Sequence, residues 1–156
     1  MFAVVKEDLH KAFMSAPEIL FVGGAGNSDK DVDLDEFIPP AFDMPNLLIA
    51  GAVDQSGEAT DFTSFGRGVD VYSNGFEVDS FVPGGNRMKL SGTSMVSPNV
   101  VNLAAKLSAL DSSPTPAMAA ELIRKGAGPH GENGKLLVIH PKRSVELLRE
   151  MQKERD

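Results

Sequence analysis

Two uninterrupted apolar runs constrain this chain more than any other feature. Residues 19–25 read Ile-Leu-Phe-Val-Gly-Gly-Ala, and residues 47–53 read Leu-Leu-Ile-Ala-Gly-Ala-Val. Neither alternates apolar with polar, as a strand with one wet face would. Both are therefore expected to be strands covered on two faces, as in a parallel sheet flanked by helices. Helices are legible around them. Leu9, Ala12, Phe13 and Ala16 recur at i, i+3, i+4 and i+7, which predicts an amphipathic helix before the first run. Over 94–110, Val96, Val100, Leu103, Ala104, Leu107 and Leu110 form an apolar face that Val101 and Ala105 widen. That pattern predicts a helix buried on most sides. Thr115-Pro116 opens another helix, with Thr as N-cap and Pro in the first turn, and Gly126 ends it. A last helix is expected over 143–153. Residues 69–72 and 136–139 are shorter strand candidates. Asn74-Gly75 and Pro83-Gly84-Gly85-Asn86 are turn signals, so 73–90 reads as turns. Strands interleaved with helices predict an α/β layer structure.

Composition narrows the chemistry. The chain has 156 residues, 42% hydrophobic and 24% charged, enough for one domain with a real core. There is no cysteine, which excludes disulfides, Cys-ligated zinc, iron–sulfur clusters and thiol catalysis. The 15 Lys and Arg against 22 Asp and Glu leave a net charge of −7, which argues against nucleic acid as a partner. No stretch approaches the roughly eighteen apolar residues that would span a bilayer, so no membrane partner is expected. Residues 1–11 are too short and too acidic for a signal-peptide core. Asp29, Asp31, Asp33, Asp35 and Glu36 form an acidic run that raises the question of calcium. Counted from Asp29, an EF-hand would need Gly at the sixth position and Glu at the twelfth, where Leu34 and Pro40 stand. A solvated loop is favoured over a calcium site, and no metal or other cofactor is expected.

Residues 91–98 read Ser-Gly-Thr-Ser-Met-Val-Ser-Pro and lead directly into the helix over 94–110. A serine in a first helical turn sits beside unpaired backbone N–H groups and a partial positive charge. An oxyanion forming beside Ser94 could be held there. Gly92 lets a substrate backbone approach, and Pro98 fits the first turn, where its missing N–H costs little. An isolated Ser-x-x-Ser would more often be a plain N-cap.

The whole string decides otherwise. Gly92-Thr93-Ser94-Met95-Val96-Ser97-Pro98 resembles the nucleophile motif of the subtilisin-like serine peptidases, with Val96 where the family usually has Ala. Leu20-Phe21-Val22-Gly23-Gly24-Ala25-Gly26-Asn27 resembles that family's strand ending in Ala-Ala-Gly-Asn, with Gly24 replacing the first Ala. Leu48 to Val53, Phe62-Thr63-Ser64-Phe65-Gly66 and Val69-Asp70-Val71-Tyr72 follow in the family's order, as do segments resembling its closing helix, strand and helix. Ser73-Asn74-Gly75 departs from the family's Ala-Pro-Gly, and Asn99 stands where many members have a non-catalytic His. The resemblance implies a three-layer α/β/α fold with a mainly parallel sheet. It implies Ser94 as nucleophile, Ser97 as structural, and Asn27 as the oxyanion-hole amide. In this family, removing that amide lowers turnover by roughly 10²–10³. It also implies that Gly24, Ala25 and Gly26 line one wall of a cleft for peptide or protein substrates, and an extracellular or periplasmic setting.

The same resemblance exposes a deficit. The family's catalytic Asp and His precede its oxyanion asparagine, each in its own motif. Only 26 residues precede Asn27, and they match the helix before that strand. Residues 1–156 are thus expected to be the C-terminal part of such a domain, N-terminally truncated, with the Asp and His segments absent. His10, His130 and His140 are read as non-catalytic. A serine without its base is a poor nucleophile, so the chain is expected to be incomplete alone and to need the missing segment or another chain. The sheet is expected to show an exposed apolar edge and an uncovered face. The alternative reading is a non-catalytic binding or assembly module derived from a peptidase domain.

Overall fold

The computed structural model describes residues 2–34, 37–131 and 133–155. The first run forms β1 (Phe21–Gly24) and the second β2 (Leu47–Val53). β3 (Val71–Asn74) and β7 (Leu136–Val138) extend the sheet, and β6 (Gly128–His130) closes it, in the order β1-β2-β3-β7-β6. The pairs β1–β2, β2–β3 and β3–β7 are parallel, and β6–β7 is antiparallel. The helices are α1 (Phe2–Met14), α2 (Thr93–Leu110), α3 (Pro116–Gly126) and α4 (Pro141–Lys153).

β2 is the only strand of this sheet, among the described residues, whose every position is buried. Its alternation divides the core. Leu48, Ala50 and Ala52 point to the α2, α3 and α4 layer, where Val96, Val100, Leu107, Ile123 and Leu148 meet them. Small Ala side chains at 50 and 52 let the first turns of α2 lie close to the strand. Leu47, Ile49 and Val53 point the other way, to Ala25, Val32, Phe42, Met44 and Tyr72, with Leu9 and Phe13 of α1 packed on top. Each fully buried Leu or Ile contributes roughly 1.5–3 kcal/mol. The result is the expected three-layer α/β/α arrangement. Gly51 fits only as glycine, since a Cβ there would lie 2.3 Å from the ring of its register partner Tyr72.

Several expectations need correction. β1 is covered on both faces as expected, with Val22 packed toward the α2 layer and Phe21 toward α1, but as an edge strand whose one strand partner among the described residues is β2 it is only half-buried. The expected uncovered sheet face is instead closed around β2 and β3 by α1 and by Val32, Ile38, Phe42 and Met44. α2 is one-sided, because Val101 and Ala105 are exposed and only Val96, Val100, Leu103, Ala104 and Leu107 join the core. The third strand begins at Val71, two residues later than expected. The turns over 73–90 contain a hairpin, β4 (Val78–Phe81) with β5 (Arg87–Leu90), closed through Pro83-Gly84-Gly85-Asn86. Its residues are short of β-branched side chains and mostly exposed, so apolar patterning could not reveal it.

Helix ends follow their capping residues. Thr115 Oγ1 accepts from Met118 N–H at 3.3 Å, and Pro116 takes the first helical position. α4 opens one residue pair earlier than expected, with His140 Nδ1 accepting from Arg143 N–H at 3.2 Å.

Candidate active site

The first turn of α2 meets the C-terminal end of β1, the end of a parallel sheet where ligands gather. Two glycines make the approach. A Cβ on Gly24 would lie 2.7 Å from Thr93 Oγ1, and one on Gly75 would lie 2.7 Å from Val96 Cγ2 and 2.9 Å from the Gly92 carbonyl. Gly75 also holds the entry to the helix, since its carbonyl accepts from Gly92 N–H at 2.8 Å. Gly92 itself has φ +153° at the N-cap, a conformation that favours glycine.

Thr93 ties the two segments together. It is buried, and its backbone N–H donates to Asn27 Oδ1 at 2.8 Å. Its hydroxyl donates to the same oxygen at 3.0 Å and accepts from Gly26 N–H at 3.3 Å. A backbone N–H can meet only the oxygen of a carboxamide, so these bonds fix which way Asn27 is turned. Its NH2 group points away from Thr93, beside Gly92, where a methyl would come within 3.3 Å of Nδ2. Ser94 follows Thr93 in the first turn and is exposed, with no hydrogen-bond partner for its hydroxyl among the described residues. Its backbone N–H lies where the helix offers no internal acceptor. Chemically, this corner presents a free hydroxyl beside a fixed amide donor and a helix N-terminus.

Gly24 and Gly26 are half-buried and border the same corner. Ala25 differs: it has no exposed surface, and its N–H donates to the Ala50 carbonyl at 2.9 Å. It packs in the core, and surface is exposed only at the glycines on either side. The ring of Phe37 lies over Gly26, 3.4 Å from the place of a Cβ. Asn74 takes up the turn that the family's Pro would occupy, its Oδ1 accepting from Phe76 N–H at 3.2 Å. Asn99 Nδ2 donates to the Asn74 carbonyl at 3.2 Å, and Ser97 Oγ to the Thr93 carbonyl at 3.4 Å.

Among the described residues, no histidine hydrogen-bonds to Ser94. His10 is half-buried on α1 with its ring 5.1 Å from that of Phe42, less solvated than its neighbours in sequence suggest. His130 lies in the β6 region with Nδ1 3.3 Å from the Gly128 carbonyl, and His140 caps α4. Asp31 and Asp33 of the acidic run accept backbone N–H groups, those on Asp33 coming from the 66–68 turn. Asp33 accepts from Arg67 N–H at 2.8 Å and Gly68 N–H at 3.0 Å, and Asp31 accepts from Asp33 N–H at 2.9 Å. The Arg67 N–H, and the guanidinium beside it, hold the Asp33 carboxyl below its ordinary pKa. Asp35 and Glu36 lie outside the described residues. Among the described residues, no three acidic or His side chains gather as a metal site would need.

Residues 4–143 match the Subtilase family along nearly the whole chain. The chain belongs to that family. Subtilisin-like protease 7 of Trichophyton equinum is 42% identical over 106 residues, covering 68% of this chain and 25% of that protein. The subtilisin-like serine protease Pen ch 13 of Penicillium rubens is 34% identical over 118 residues, covering 72% and 29%. Among solved structures, a mutant of the protease domain of PatA superposes with a TM-score of 0.78 at 25% identity, over 92% of this chain and 54% of that one. The prenylagaramide maturation protease PagA superposes with a TM-score of 0.77 at 23% identity, over 90% and 55%. This subtilase chain thus spans about a quarter of those curated relatives and about half of those solved chains.

Proposed function

We propose that this chain carries the nucleophile and the oxyanion-stabilising part of a serine endopeptidase site. The observation that carries the reading is the Thr93 clamp on Asn27, which turns the carboxamide nitrogen away from Thr93, the residue directly before Ser94. In the reaction, Ser94 Oγ bonds to the scissile carbonyl carbon of a peptide or protein substrate. The carbonyl oxygen takes the negative charge against Asn27 Nδ2 and the Ser94 N–H. The C–N bond then breaks, the amine leaves with the proton lost by Ser94, and water hydrolyses the acyl-enzyme. Gly24 and Gly26 border the substrate. The proton acceptor is not His10, His130 or His140. It comes from a segment or partner beyond these residues, with an Asp to orient it.

The same missing contact favours a second reading, a non-catalytic binding or assembly module. A fluorophosphonate probe separates the two. Slow labelling of this chain that disappears in Ser94→Ala supports the peptidase reading. Absence of labelling, in a chain shown folded by circular dichroism, supports the module.

A further inference from the structure

α3 and α4 pack along one another but leave their outer seam unfilled. A groove of about 640 Å³ runs there, floored by Leu122, Leu147 and Met151, with Ala117 and Met118 on its α3 side. It is separate from the corner around Ser94 and shares none of its residues. Leu147 and Met151 stand four residues apart on α4, so they form one stripe. Met118 is exposed although it is large and apolar.

The lip of the groove is acidic once its ion pairs are removed. Arg124 is held by Asp70 at 2.8 Å, and Lys125 by Glu121 at 3.1 Å. Glu150 and Glu154 also border the groove and have no ion pair among the described residues. Glu154, the residue that caps α4, follows Glu150 by four positions, so both acids lie at one side of the helix's C-terminal end. The chain's net charge of −7 adds a field of the same sign.

We propose that this groove docks a basic amphipathic helix from a partner protein. Two helices offer no free backbone edge, so a docked strand would leave its peptide groups unpaired, whereas a helix satisfies its own. An apolar stripe at i, i+3, i+4 and i+7 matches a seam between helices, and methionine side chains adapt to its knobs. Lysines flanking that stripe meet Glu150 and Glu154.

The test is a fluorescence-anisotropy titration of the full chain. The probe is a labelled fourteen-residue Leu/Lys peptide with leucines on one helical face. Controls are its Leu/Glu counterpart and a shuffled Leu/Lys peptide with no stripe. The striped basic peptide is expected to bind at least about tenfold more tightly than either control, and to lose about tenfold in the double variant Glu150→Lys, Glu154→Lys. The exposed-site variant Met118→Gln, which leaves the core untouched, is expected to weaken it as well. Methyl NMR shifts on binding should fall on Met118 and Met151. No binding overturns the proposal, as does equal binding of the shuffled peptide, which marks charge alone. Sedimentation showing self-association abolished by Met118→Gln also overturns it, because the occupant is then a second copy.

Discussion

At the scale of single residues, the candidate site depends on one oxygen atom. Asn27 Oδ1 receives two donors from Thr93, and this pair of hydrogen bonds leaves the amide nitrogen turned outward. Thr93→Val keeps the side-chain shape and the backbone donor but removes the hydroxyl donor. Fluorophosphonate labelling of Thr93→Val should fall by less than that of Asn27→Ala, for which the family value of roughly 10²–10³ sets the scale. Equal losses in both variants would show that the hydroxyl alone holds the amide. Ser94 and Asn27 could be proposed from sequence because each sits in a contiguous string that resembles a motif of the family. Thr93 lies in one of those strings, yet its task was hidden, since its partner is 66 residues away. Ala25 shows the converse: its string suggested a cleft wall, while the alternation of the strand sends it into the core. A second residue-scale contrast lies between α3 and α4. Ser144 Oγ is buried without a partner among the described residues, and a Cβ on Gly126 would meet that oxygen and come within 3.0 Å of the Ser144 backbone. Ser144→Ala should leave the melting temperature unchanged or raise it, because an unpaired buried hydroxyl is removed. Gly126→Ala should lower stability by about 1–3 kcal/mol, through overpacking, in urea denaturation.

Elements are joined by a different device, the Asp111 carboxylate after α2. Oδ1 accepts from the Ser113 hydroxyl at 2.6 Å and the Ser113 N–H at 2.9 Å, while Oδ2 takes Gln152 Nε2 of α4 at 3.1 Å and the Arg155 guanidinium. The Ser113 bonds first, and Arg155 after them, hold its pKa well below the carboxylate range. A carboxylate lowered in the folded state stabilises it fully above its unfolded pKa of about 3.9, and the benefit fades as pH falls toward the folded value. Asp111→Asn should therefore melt below the parent chain at pH 7, and the gap should narrow as pH falls from 4 to 2. The long elements were readable from sequence, since β2 and α2 carry enough apolar residues for their periods to stand out. β6 and the β4–β5 hairpin were not. Three- and four-residue strands, with exposed polar positions, depend on pairing rather than on their own pattern.

Across the whole molecule, the sheet is well sealed at β2 and open at β1. Phe21 and Ala25 donate to the Asn46 and Ala50 carbonyls, so alternation turns the peptide groups of Val22 and Gly24 outward, with no strand partner among the described residues. Native-state hydrogen exchange should show it: the Val22 and Gly24 amides should exchange at least about tenfold faster than that of Ala25. Comparable protection would mean that another strand, from a second molecule, covers the edge.

The clamp at Asn27 has a consequence for assembly. Turning a carboxamide and fixing a helix start both cost conformational freedom, and here that ordering is complete within one chain. Whatever brings the proton acceptor therefore meets an already ordered surface. Recovery of activity on mixing should be a simple second-order process, linear in the concentration of the added piece, with no slow rearrangement of this chain following the encounter.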